Sequence, residues 1–150
     1  MTSVKELQEV MVTEAQVTEG LVALLLQEQE AIVGGRPEEL DGLVDKCEDL
    51  LQPMAGLEKE RARLTELIIS ERGKEKKGTP ATSRDLLRCL GSNDALLMQP
   101  VIERLRAASK EVVRVNNLNK PLLQHSQSFI RQTLRAATDD FKKNLIDKRM

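Results

Sequence analysis

Between Leu40 and Ile68 the chain repeats at alternating three- and four-residue steps. Leu40, Leu43, Cys47, Leu50, Met54, Leu57, Leu64 and Ile68 are apolar, and Arg61 is the one exception. Apolar residues recurring every 3.5 positions on average form a seam along one face of a helix, as in coiled coils. A helix with such a seam folds only against other helices, so this pattern constrains the chain more than any other. Pro53 and Gly56 lie within it. A proline inside a helix removes one backbone hydrogen bond and costs roughly 3 kcal/mol. The seam nevertheless passes Pro53 without a slip, which predicts one kinked helix over residues 37–72 rather than two.

The segments on either side read the same way. Val4, Leu7, Val10, Met11, Val17, Leu21, Leu24, Leu25 and Ile32 form a broad apolar stripe over residues 4–33, interrupted by Glu28, with Glu6, Glu9, Glu14 and Glu19 off it. Gly34-Gly35 stops this helix, because glycine takes the left-handed cap conformation cheaply. Pro37, followed by Glu38 and Glu39, starts the next one, where proline is tolerated and carboxylates favour the positive end of the helix dipole. So short a connection makes the first two helices antiparallel neighbours.

Residues 73–82, GKEKKGTPAT, have nothing to bury and read as a mobile linker. Thr82 or Ser83 can cap a short helix over 83–90 that holds Leu86, Leu87 and Leu90, stopped by Gly91. Ser92 or Asn93 caps a last long helix over about 93–138. If it passes through Pro100 and Pro121 unbroken it is about 69 Å long, against about 54 Å for the second helix. Either the short helix covers the excess or one end projects. Within it, Asn116, Asn119, Leu123, Ser126, Ile130, Thr133/Leu134 and Ala137 keep helical spacing, so Asn116 and Asn119 form a polar seam that a purely structural helix would fill with leucine. Phe141 and Leu145 carry the stripe into residues 139–150, which read as a flexible amphipathic tail. The expected fold is therefore all-α. It is an elongated antiparallel hairpin or bundle of three long helices and one short one, with coiled-coil-like packing, in a single domain over 1–138.

Composition excludes several functions. The 150 residues contain no Trp, no Tyr and two Phe, which suits aliphatic helix seams and argues against stacking on single-stranded nucleic acid. Residues 1–72 carry 7 Lys/Arg and 16 Asp/Glu, and residues 73–150 carry 16 and 8, so an acidic half faces a basic half. No basic run exceeds Lys74–Lys77. Cys47 and Cys89 lack CxxC spacing and read as free thiols in a reducing compartment. His125 is the only histidine, so neither a metal site nor a nucleophile–base pair is expected. Gly34-Gly35-Arg36 follows no strand and is not a phosphate loop. No catalytic residue and no cofactor is expected. The opening MTSVKELQEV lacks a signal peptide's charged start and apolar run, and Leu21–Leu26 is too short to span a membrane. The expectation is a soluble, cytoplasmic protein that is not an enzyme and works through its helical surfaces.

A long acidic helix, a short break, a second helix opening Leu40-x-x-Leu43-Val44-x-x-Cys47-Glu48-Asp49-Leu50-Leu51, a charged linker, and a last helix with Asn116-Asn117-Leu118-Asn119 followed by Leu122-Leu123 together resemble the FlgN family of bacterial flagellar export chaperones. The resemblance covers nearly the whole chain, and the Asn-x-x-Asn with trailing leucines is its most specific part. It implies a cytoplasmic protein that binds the hook–filament junction proteins FlgK and FlgL. Such a protein keeps them from assembling early and delivers them to the type III export gate. It further implies that the C-terminal amphipathic segment binds the client, which on this chain means Phe129, Ile130, Leu134, Ala137, Phe141 and Leu145. The residues by themselves leave two other readings open. One is a structural coiled-coil protein or homodimer with no chaperone role, and the other is a type III secretion chaperone for a different client.

Overall fold

The computed structural model describes residues 2–72 and 81–149, with side chains described as far as His125. Within them lie four α-helices and no strand: α1 (Val4–Val33), α2 (Pro37–Glu71), α3 (Ser83–Cys89) and α4 (Ser92–Arg149). The protein is an all-α bundle. Residues 73–80, most of the linker read from the sequence, lie outside the described residues.

Local chemistry sets the helix ends. The Ser3 hydroxyl accepts the Glu6 N–H at the start of α1. At its end, Arg36 N–H donates to Ala31 O at 2.9 Å and Gly35 N–H to Ile32 O at 3.3 Å. This is a Schellman closure, and it needs a left-handed residue, which Gly35 supplies at φ +66°. Thr82 and Asp85 form a reciprocal capping box at the start of α3.

Three prolines sit inside helices that continue through them: Pro53 in α2, and Pro100 and Pro121 in α4. Each is solvent-exposed, and so are Asp49, Leu96 and Asn117, four residues earlier, whose carbonyls lose their usual donor. The defects thus lie on exposed faces, where a carbonyl without its usual donor can be solvated, and not on the packed ones. After Pro121 no helix breaker occurs, and α4 runs on to Arg149, past residue 138 where the sequence reading ends it.

α1 is the central helix. It packs along α2 on one side and α4 on the other, while α3 touches both α2 and α4. Among the described residues α2 and α4 make no close backbone approach to each other. α2 runs antiparallel to α1, as a chain of cross-links shows. Thr2 bonds Glu71 at 2.7 Å, Arg61 bonds Glu14 at 2.8 Å, and Cys47 bonds Glu28 at 3.5 Å. α4 runs parallel to α1. Met98, Val101 and Ile102 cluster with Val4, Leu7 and Met11, whereas Val115 clusters with Leu21 and Leu25.

The core divides in two. At the α3 end, Val4, Leu7, Met11, Leu64, Ile68, Leu86, Met98, Val101 and Ile102 draw on all four helices. Nearer the α1–α2 turn, Leu21, Leu25, Cys47 and Val115 draw on three. α3 therefore packs at the beginning of α4 and does not offset the length mismatch. α4 has 58 residues against 30 in α1 and 35 in α2. Starting level with the beginning of α1, it overruns the turn end.

Candidate functional site

The polar positions inside the packed helices come first, because each interrupts an apolar stripe. Arg61, the exception in the α2 seam, bonds Glu14 through its Nε at 2.8 and 3.2 Å. The Glu14 side chain is 3% exposed and the Arg61 side chain 37%. Burial pushes the Glu14 carboxyl above the usual carboxylate range, and the Arg61 guanidinium pulls it partly back. Thr18, also buried, turns its hydroxyl onto Glu14 O at 2.7 Å. This layer separates the two apolar clusters along α1 and fixes which turn of α2 meets which turn of α1.

Glu28, which interrupts the α1 stripe, is half-buried and accepts the Cys47 S–H. Desolvation raises its carboxyl as well. Burial and the neighbouring carboxylate push the Cys47 thiol up to about 11, so it stays protonated and unreactive at neutral pH. Cys89 is half-buried, and both cysteines are free.

The two seam asparagines separate. Asn119 is buried on the face of α4 that meets α1, where its Nδ2 donates to Leu25 O at 2.8 Å. Its Oδ1 is buried without a partner. Asn116 is exposed, and the buried side chain of that turn is Val115. The seam reading thus needs correcting at Asn116. Only the row through Ala108, Val115 and Asn119 is turned inward against α1, and the adjacent row through Ser109, Val113 and Asn116 is exposed. Spacing alone could not separate them, because both rows keep three- and four-residue steps.

The hydrogen bond from Asn119 to Leu25 also sets the level of α4 against α1. In parallel helices of equal rise, Val33 at the end of α1 stands level with about residue 127 of α4. About 22 residues of helix, or about 33 Å, then continue beyond the bundle. Phe129, Ile130, Leu134, Ala137, Phe141 and Leu145 all fall on this overhang, and their side chains lie outside the described residues. Before it, Leu118, Leu122 and Leu123 are exposed apolar residues on the last described turns.

A family model described as FlgN protein matches residues 1–146. The chain belongs to the FlgN family. The match spans the three long helices and nearly all of the overhang, in agreement with the resemblance carried by the Asn-x-x-Asn stretch. This FlgN-family chain is accordingly a flagellar export chaperone in general role, from a chaperone family and not an enzymatic one. No curated protein and no solved structure was found to match the chain. Among the described residues, no group of His, Cys, Asp and Glu side chains could hold a metal ion. No helix of the described residues is long and apolar enough to cross a membrane.

Proposed function

We propose that this protein is a cytoplasmic chaperone for the hook–filament junction proteins FlgK and FlgL. It binds them through the stripe Phe129, Ile130, Leu134, Ala137, Phe141 and Leu145, prevents their premature assembly and delivers them to the export gate. The observation that supports the reading best is the overhang of α4. In this member of an export-chaperone family α4 runs on past the level of the α1–α2 turn, while the sequence continues to place apolar residues along one of its faces. An amphipathic helix with a vacant face is suited to cover the amphipathic helix of a client.

The mechanism needs no covalent step. The client's apolar helix is kept out of water by the stripe, and the charged residues around the stripe set the orientation. Affinity stays moderate, because immobilising a segment against its client offsets roughly 2–5 kcal/mol of the contact energy. A moderate complex can be handed to the export gate and released.

Deleting residues 138–150 removes Phe141 and Leu145 and leaves the packed helices intact. Titration calorimetry with C-terminal fragments of FlgK and FlgL should show at least about tenfold weaker binding, since each buried Phe or Leu contributes about 1.5–3 kcal/mol. Unchanged affinity would reject the stripe as the client site. Binding to the filament-cap protein or flagellin in place of FlgK and FlgL would keep the chaperone role and move this chain to another client.

A further inference from the structure

α3 occupies the place of a fourth helix in the bundle, but only for two turns. The row Val44, Leu51, Glu58 and Thr65 runs along α2 at seven-residue steps. Thr65 is buried in the layer where α3 and Leu86 lie against α2, whereas Leu51 is 49% exposed and Val44 44%. The facing row on α4 is Ile102, Arg106, Ser109, Val113, Asn116 and Lys120, reaching Leu123 three residues later. Ile102 is buried beneath α3 and Arg106 bonds Ser83 at 2.9 Å, but Val113 is 58% exposed. Where α3 lies, Thr65 and Ile102 are buried and Arg106 is tied to Ser83; past it, Val44 and Leu51 on α2 and Val113 and Leu123 on α4 are exposed apolar side chains. Among the described residues the fourth place of the bundle is thus open from about residue 107 to about residue 127 of α4, a length of about 31 Å.

We propose that this open place is filled by the overhanging end of α4 from a second copy of the chain, reciprocally, in a two-fold dimer. Length is the first argument: the overhang of about 33 Å matches the vacancy of about 31 Å. Continuity is the second. The α4 row from Asn116 to Leu123 continues in sequence through Ile130, Leu134, Ala137, Phe141 and Leu145, so two α4 helices crossing antiparallel near residues 127 and 128 lay one row against itself. Charge is the third. From Glu38 to Glu58, α2 carries seven carboxylates and one lysine, with Asp41, Glu48 and Glu58 exposed beside Val44 and Leu51. Residues 128–149 carry six Lys/Arg and three Asp. A chain cannot fill its own vacancy in this way, because its continuous α4 carries the overhang away from the bundle.

The dimer covers the stripe proposed for the client, so a client would have to displace the second copy; it is tested on the isolated full chain without FlgK or FlgL, and its failure is separate from any failure of client binding. Sedimentation equilibrium should return twice the monomer mass. Leu51→Glu with Val113→Glu should raise the dimer dissociation constant by about a hundredfold or more, since each change removes an apolar side chain from the interface. Both positions are exposed in the single chain, so circular dichroism should show an unchanged fold. In a Cys89→Ser background, Val113→Cys with Phe141→Cys should oxidise to a disulfide between two chains. A wild-type chain that stays monomeric, a dimer insensitive to the double glutamate variant, or a disulfide closing within one chain would each overturn the proposal.

Discussion

The two ends of the bundle are built from the same helices and differ in one element. At the α3 end, seven residues of α3 seal the gap between α2 and α4, and Leu86 joins a core drawn from four helices. At the turn end, α1, α2 and α4 continue without a fourth partner among the described residues, and the buried cluster there is Leu21, Leu25, Cys47 and Val115. Val44 and Leu51 on α2 and Val113 and Leu123 on α4 stay exposed there, and α4 continues past the level of the turn. Stability is therefore concentrated at one end, and the surface available for association at the other.

This contrast can be broken by comparing one substitution at both ends. Leu64→Ala, in the four-helix core, should lower the unfolding free energy by about 3–4 kcal/mol, because the closed packing leaves a cavity. Leu25→Ala, in the three-helix core, should lower it by about 2 kcal/mol, because the open side lets the site relax. Equal losses in urea denaturation would mean that the open end is already as tightly packed as the closed one.

The polar layer between the cores gives the next effect. Arg61→Ala leaves the Glu14 carboxylate buried without its partner and should cost about 2–3 kcal/mol, less than a wholly buried pair because Arg61 reaches solvent. Glu14→Leu with Arg61→Leu removes both charges and should recover most of that loss in the same urea titration. A double variant no better than Arg61→Ala would show that the layer holds the helices together by more than mutual compensation.

Asn119→Leu tests the turn end directly. It gives up the bond to Leu25 O but removes an amide oxygen buried without a partner, so thermal unfolding should show a gain of about 1 kcal/mol. If the gain comes with broadened amide resonances along α1, the asparagine holds the register of α4, as a seam asparagine does in coiled coils.

The smallest effect is that of pH. Glu14 and Glu28 have carboxyl pKa values raised by burial, so the folded chain binds more protons than the unfolded chain just above pH 4.5. Their contribution is lost as pH rises through that window, and acidification from neutral pH toward 5 should stabilise the protein. Glu19, Glu60, Glu71 and Glu111 are shifted down by hydrogen bonds to Arg104, Arg63, Thr2 and Arg114. Their contribution is present above pH 4.5 and lost below it, which opposes the gain at more acid pH. The urea midpoint should therefore pass through a maximum at mildly acid pH, and Glu14→Gln with Glu28→Gln should flatten the limb on its alkaline side.

The helices were legible because their signals are local. Gly34-Gly35 before Pro37 and the regular spacing of the 40–68 seam mark their ends and faces with no reference to partners. The continuation of α4 past residue 138 was less legible, since the end of a helix without a stop residue depends on how far its stripe remains useful. Arg61 looked like a flaw in the seam because its partner, Glu14, lies 47 residues away on another helix. The stripe proposed for the client was legible only as a pattern of apolar residues. Asn116 and Asn119 looked equivalent because each sits at a seam spacing.

From sequence alone come the all-α class, the helical faces, the acidic and basic halves, and an apolar row that does not stop where the chain runs short of partners. Periodicity and capping are properties of neighbouring residues, so one chain read in order contains them. The tertiary structure decided that α1 lies between α2 and α4, that α4 runs parallel to α1, and that α3 covers only one end. Those choices follow from which rows bury the most apolar surface together, a comparison among helices that no single helix records. They turn the excess length of α4 from an ambiguity into an overhang at the turn end.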